Sequence, residues 1–238
     1  MLPDARKLKI PRYWIRPPQS LSTQRGFHRF LWDMHYPPLP GIEPDYPMSA
    51  VNRDTPPSPT SPWVMPGEYT VVLTAGSKSY TQPLTVKMDP RVKMSQAELE
   101  QQLTLSQQLC DVRAGLEPIG KIFDSLVEQL TKLRDQSLPK NVEEKLNALN
   151  NTLKELGPPN PRPGQTPSLH ALDSAKDLFQ AIQGVDAAPT DRVKAAVNDV
   201  RAQAAVLTKS WKEIVAQDVA ALDQELQAAG LSRLNLAK

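Results

Sequence analysis

The sequence predicts an α+β chain in two parts. A small β-sandwich occupies residues 1–94, and an elongated bundle of four antiparallel helices, two long and two short, occupies 95–238. Three observations lead there. Prolines divide unevenly, 16 before residue 95 and 8 after it. Apolar residues alternate with a period of two in the first part and recur at three- and four-residue spacing in the second. Asp89-Pro90 ends the alternating region, and Ser95-Gln96-Ala97-Glu98 has the capping-box pattern that opens a helix.

The best-defined β element is a hairpin within Pro66–Lys93. Tyr69, Val71 and Leu73 alternate with Thr70, Val72 and Thr74, as in a half-buried strand. Ala75-Gly76-Ser77-Lys78 is a turn in which Gly76 supplies a positive φ. Tyr80, Gln82, Leu84 and Val86 form the partner strand. Pro83 has no amide to donate, so this strand is an edge or turns the Pro83 nitrogen away from its neighbour. Upstream, Leu8–Ile10 and Tyr13–Ile15 are short strand candidates, interrupted by Pro11, Pro17 and Pro18, and residues 1–20 read as an extended segment laid over the sheet. Phe27–Asp33 is a further strand, with His28, Phe30 and Trp32 on one face. Residues 36–66 are rich in Pro, Ser and Asp and read as a long surface loop, partly polyproline II.

The first helix begins near Ser95 and carries a Leu-rich stripe to Leu133, with a kink expected at Pro118. The second carries Val142, Leu146, Leu149 and Leu153 and ends at Gly157-Pro158-Pro159. The third starts at Ser168 and runs to Gly184. The fourth, capped by Thr190, places Val193, Val197, Val200, Ala204, Leu207, Trp211 and Ile214 on a coiled-coil seam. Its stripe then shifts to Val215, Val219, Leu222 and Leu226, a stutter. The first and last helices, each roughly 60 Å at about 40 residues, are expected to pair antiparallel.

A net charge of +2 argues against a dedicated nucleic-acid binder. Residues 1–94 hold 12 Lys and Arg against 7 Asp and Glu, the remainder 16 against 19. No apolar stretch is long enough to span a membrane. MLPDARKLKIPRYW lacks a signal peptide's apolar core, so the chain reads as cytoplasmic or as a piece whose export signal lies elsewhere. The single cysteine, Cys110, excludes an intrachain disulfide and sits on a helix face as a packed thiol.

Few residues suggest chemistry. His28, Asp33 and His35 offer two imidazoles and a carboxylate, a set able to hold a divalent metal such as Zn²⁺ and activate water. In a straight strand His28 and Asp33 point to opposite faces, and the alternative is that His28 packs beside Phe30 and Trp32 while Asp33 caps a turn. Glu43, Asp45 and Asp54 offer hard oxygen ligands suited to Ca²⁺, without EF-hand spacing. Trp14, Trp32, Trp63 and Tyr69 read either as an aromatic platform for a carbohydrate or small molecule or as sandwich core. His170, near a helix start, has no partner visible in the sequence. There is no Gly-x-Ser-x-Gly elbow, no Gly-rich phosphate loop and no His-Glu-x-x-His.

GFHRFLWDMHYP, followed by PGEYTVVLTAGSKSYTQPLTVKMDPRVK, resembles the region after the β-propeller in large bacterial sortilin-like, BNR-repeat proteins, often labelled glycosyl hydrolases. The resemblance implies that the first part is an Ig- or fibronectin-like sandwich, here incomplete, that a propeller lies upstream in the relatives, and that the protein is bacterial and exported. Any propeller activity stays with the propeller. The function expected is therefore a non-catalytic module for binding or assembly, with a homodimer formed through the sheet edge or the long helices. The alternative is a hydrolase of a glycosidic, ester or lactone bond, metal-assisted through the candidates above.

Overall fold

The computed structural model describes residues 4–16, 20–158 and 168–236. Pro17, Pro18 and Pro159 lie outside the described residues. The chain divides into two compact units, Met1–Gln107 with Gln180–Thr190 and Gln108–Phe179 with Asp191–Lys238.

Unit one holds the sheet. Strands β1 (Gly67–Ala75) and β2 (Lys78–Val86) pair antiparallel, from Gly67 opposite Val86 to Ala75 opposite Lys78. Gly76 takes φ +61° at the first turn position, the φ pattern of a II′ turn whose twist matches that of the strands. Among the described residues this ribbon is the whole sheet. The predicted Ig/fibronectin-like β-sandwich is thus corrected to a two-stranded hairpin beside helices. The strand expected at Phe27–Asp33 does not form: its backbone is irregular, Phe27 is 90% exposed, and Met34 turns the chain at φ 59°. Alternating residues suit a pleated, half-buried surface, but they do not supply the neighbour that a ladder needs.

The two short N-terminal strand candidates are also corrected. Leu8–Ile10 is a bend that follows a single 3₁₀ turn, Ala5–Lys7, and Tyr13–Ile15 overlaps a second, Arg12–Trp14. The first turn is capped by Asp4, whose Oδ1 accepts from the Arg6 amide at 3.0 Å. Ile10 and Ile15 pack on Tyr46 with Leu8, Trp14 and Ala50 against them, so apolar spacing here serves a small loop core.

Helix α1 (Gln96–Arg134) begins in unit one and ends in unit two. Its capping box forms: Glu98 Oε2 accepts from the Ser95 amide at 2.7 Å, and Ser95 Oγ accepts from the Glu98 amide at 3.3 Å. The helix continues through Pro118.

Unit two contains the rest of α1, α2 (Lys140–Glu155), most of α3 (His170–Gln183), α4 (Asp191–Ile214) and α5 (Ala220–Ala228). Its core includes Phe123, Leu126, Leu149, Leu153, Leu172, Trp211, Leu222 and Leu226. Between α4 and α5 the backbone makes a π-turn, Val215–Val219. Here the stutter becomes physical: Ile214 and Val219 are both buried five positions apart, and the wider turn absorbs the extra residue.

The expected antiparallel pairing of the first and last helices is corrected to a parallel one. Phe123 meets Trp211 with ring centroids 6.2 Å apart, and further along the chain from each, Gln129 exchanges hydrogen bonds with the backbone of Asn235. The short helices run the other way. Lys176 pairs with Glu117 at 3.2 Å, while Arg113, earlier on α1, lies over Phe179, later on α3. The His170 amide donates to Leu156 O at 3.1 Å, so α3 takes up where α2 ends. The bundle has three columns instead of four, because two short helices in succession share the path antiparallel to α1.

Candidate functional site

The site with most chemical character is a groove of about 1130 Å³ in unit one. Trp32, His35, Tyr36, Trp63 and Tyr69 line it, with prolines from residues 37–59 as walls and Asp33, Gln180 and Gln183 as polar groups. The long Pro-rich loop favours extended, poorly paired backbone, which leaves its rings free to face a cleft. One antiparallel bridge, His35 opposite Trp63, closes the loop on itself. The Val64 amide donates to Met34 O at 2.8 Å and the Tyr36 amide to Pro62 O at 2.9 Å.

His35 is held tightly. Its ring stacks on Trp63 with centroids 3.7 Å apart, and its Nδ1 donates to Asp33 O at 3.0 Å. Asp33 Oδ1 accepts from the His35 amide at 3.1 Å, and Oδ2 lies 3.7 Å from Nδ1. Burial lowers the imidazole pKa below 6.5, and the Asp33 carboxylate opposes that shift. Its Nε2 is buried, with no hydrogen-bond partner among the described residues. Trp32 donates from Nε1 to His35 O at 3.2 Å and meets Tyr69 edge-on at 5.8 Å.

Of the predicted metal triad, therefore, Asp33 and His35 come together and His28 does not join them. The His28 Nε2 instead donates to Gln24 O at 2.7 Å. In the acidic set, Asp45 pairs with Lys9 at 3.2 Å, Asp54 pairs with Arg16, and Glu43 is exposed. Among the described residues no three His, Cys, Asp or Glu side chains converge. Of the aromatic platform, Trp32, Trp63 and Tyr69 share the groove, while Trp14 packs edge-on against Tyr13 at 6.4 Å. Cys110 is buried, and burial pushes its thiol up to about 11, so it stays protonated and packed. His170 opens α3, where its backbone joins α2.

A polar clamp behind the groove has no counterpart in the sequence reading. Buried Gln183 accepts from the Trp63 amide at 2.8 Å and donates to Ser106 Oγ at 2.8 Å. Ser106 in turn donates to Gln102 O at 2.8 Å, and Gln102 Nε2 donates to the carbonyls of Ile182 and Val185. These residues fix Trp63 to the first turns of α1. A glutamine on the apolar stripe of a predicted helix was the available signal.

No family model matches this chain, and no curated protein or solved structure matches it. No helix among the described residues is long and apolar enough to cross a membrane.

Proposed function

We propose that this chain is a non-catalytic binding and assembly module, related to the region that follows the propeller in sortilin-like BNR-repeat proteins. The observation that carries this reading is the uncovered apolar surface of unit one. On one face of the hairpin Val71, Leu73 and Tyr80 are 49%, 48% and 56% exposed, and beside it the rings of Trp32, Tyr36 and Trp63 also face solvent. A two-stranded ribbon is marginal alone, and contiguous apolar surface marks contact sites. The binding half takes a carbohydrate. Flat rings stack on the apolar faces of sugars, and Asp33 and Gln180 offer groups for hydroxyls. The assembly half is a homodimer.

Affinity gel electrophoresis in soluble β-glucan, xylan and pectin tests the binding half. At least one polymer retards the native protein, and Trp63→Ala weakens that retardation about tenfold, the equivalent of ~1.4 kcal/mol for one lost stacking contact. Absence of retardation in every polymer overturns it. A hydrolytic reading has one observation in its favour, the Asp33–His35 pair within the groove. The same protein incubated with chromogenic glycosides, esters and lactones decides it: turnover lost in His35→Ala supports hydrolysis, and none at all rejects it.

A further inference from the structure

We infer that a second copy of this chain pairs with the outer edge of β1, two-fold and antiparallel, to make a four-stranded sheet β2-β1-β1-β2. This rests on the assembly half of the reading above and names its surface.

The geometry of the hairpin selects the edge. Ala75 and Lys78 flank the two-residue turn, and the pair closing such a turn exchanges both backbone hydrogen bonds. Counting back, Leu73, Val71, Tyr69 and Gly67 also bond to β2. Glu68, Thr70, Val72 and Thr74 direct their amides and carbonyls outward. On β2 the outward residues are Ser79, Thr81, Pro83 and Thr85. Pro83 sits opposite Thr70, so its missing amide falls on the outer edge and blocks a ladder there. The β1 edge carries no proline, and among the described residues no third strand pairs with it.

One register satisfies the strand's own chemistry. The backbone before β1 is already bonded at Pro62 and Val64 to Tyr36 and Met34, so an added strand is confined to Gly67–Ala75. Full two-fold overlap of that stretch sets Val71 opposite Val71 of the other copy. It also sets Tyr69 opposite Leu73 and Thr70 opposite Val72, aromatic–aliphatic and β-branched pairs that favour sheets. Glu68, the one charged residue of β1, falls opposite Thr74. The two Glu68 carboxylates are then six residues apart, roughly 20 Å along the strand at ~3.3 Å each. The apolar face of one hairpin continues into that of the next. Since each copy has one open edge and one blocked edge, pairing uses up both open edges and stops at a dimer instead of growing into a fibre.

The test combines sedimentation with a register-specific cross-link. Val71 lies at a non-hydrogen-bonded, symmetric position, where facing side chains are closest. In a Cys110→Ala background, Val71→Cys is expected to oxidise to a disulfide-linked dimer, with Val72→Cys reacting far less. Val72→Pro removes an outward amide that the hairpin itself does not use. It is expected to raise the dimer dissociation constant more than tenfold, while Thr81→Pro, on the blocked edge, leaves it unchanged. Far-UV circular dichroism confirms folding of each variant. A dimer that is indifferent to Val72→Pro and that fails to cross-link in the Val71→Cys variant overturns this inference and leaves assembly through the helices. A monomer throughout the micromolar range overturns this inference and the assembly reading together.

Discussion

His35 shows how much one side chain's surroundings decide. In sequence it is one of two histidines near an aspartate. In the structure it lies against Trp63 with the two rings tilted by 33°, bonded back to Asp33, with Nε2 buried. Burial disfavours the imidazolium, so the folded pKa lies below the unfolded value near 6.5. The unfolded chain then takes up the proton first as pH falls. The stability His35 contributes is complete above pH 6.5 and declines below it. The Trp fluorescence transition of unit one is therefore expected at lower temperature in mildly acid buffer, and His35→Phe, which keeps the stacking, flattens that dependence. An unchanged pH slope in the variant would sink the assignment. The strand that would have set Asp33 and His35 on one face does not form; a local turn joins them instead, with Asp33 Oδ1 accepting from the His35 amide. The stacking was not legible in the sequence, because Trp63 is brought across the loop by a bridge that no local pattern encodes.

Among the elements, periodicity is reliable where one element buries its own stripe. The seam of α4 was legible from Val197 onward: Val197, Val200, Ala204, Leu207, Trp211 and Ile214 are all buried, while Val193 at its start is half-buried. The stutter was legible too, and the backbone resolves it as the π-turn Val215–Val219. Deleting exposed Gln217 would bring Val219 to four residues after Ile214, the spacing of an uninterrupted α-helix. That deletion is expected to retain full helicity by circular dichroism and a Tm within a few degrees of the parent. Loss of the cooperative transition would show that the π-turn is required by its neighbours. Strand alternation failed at Phe27–Asp33 for the converse reason: a helix completes its backbone hydrogen bonds internally, and a strand depends on another segment.

Across the full chain, the two units differ in what they bury. Unit two has a continuous core from Leu116 to Leu234, with Phe123, Leu126 and Leu222 excluded from solvent. The N-terminal cluster of unit one is Ile10, Ile15 and Tyr46 with a few half-buried neighbours. Unequal cores give unequal local stability. Equilibrium urea unfolding is expected to show two steps: a Trp signal change from Trp14, Trp32 and Trp63 first, and loss of helical circular dichroism at higher denaturant. Coincident transitions would mean that α1, which runs through both units, couples them into one cooperative fold.

Local elements were within reach of the amino-acid order alone. The hairpin and its turn, the capping box, the extents of the helices, the stutter and the packed Cys110 all follow from interactions within a few residues. Three features came only with the assembled fold: that the β part is a ribbon and no sandwich, that α1 and α4 run parallel while α2 and α3 share one column, and that His35 joins Trp32, Trp63 and Tyr69 in a groove held by Gln183 while Trp14 stays apart. Each depends on pairing between segments far apart in the chain. Such pairing is set by which surfaces remain to be covered once the local elements exist, and no period in the sequence records that.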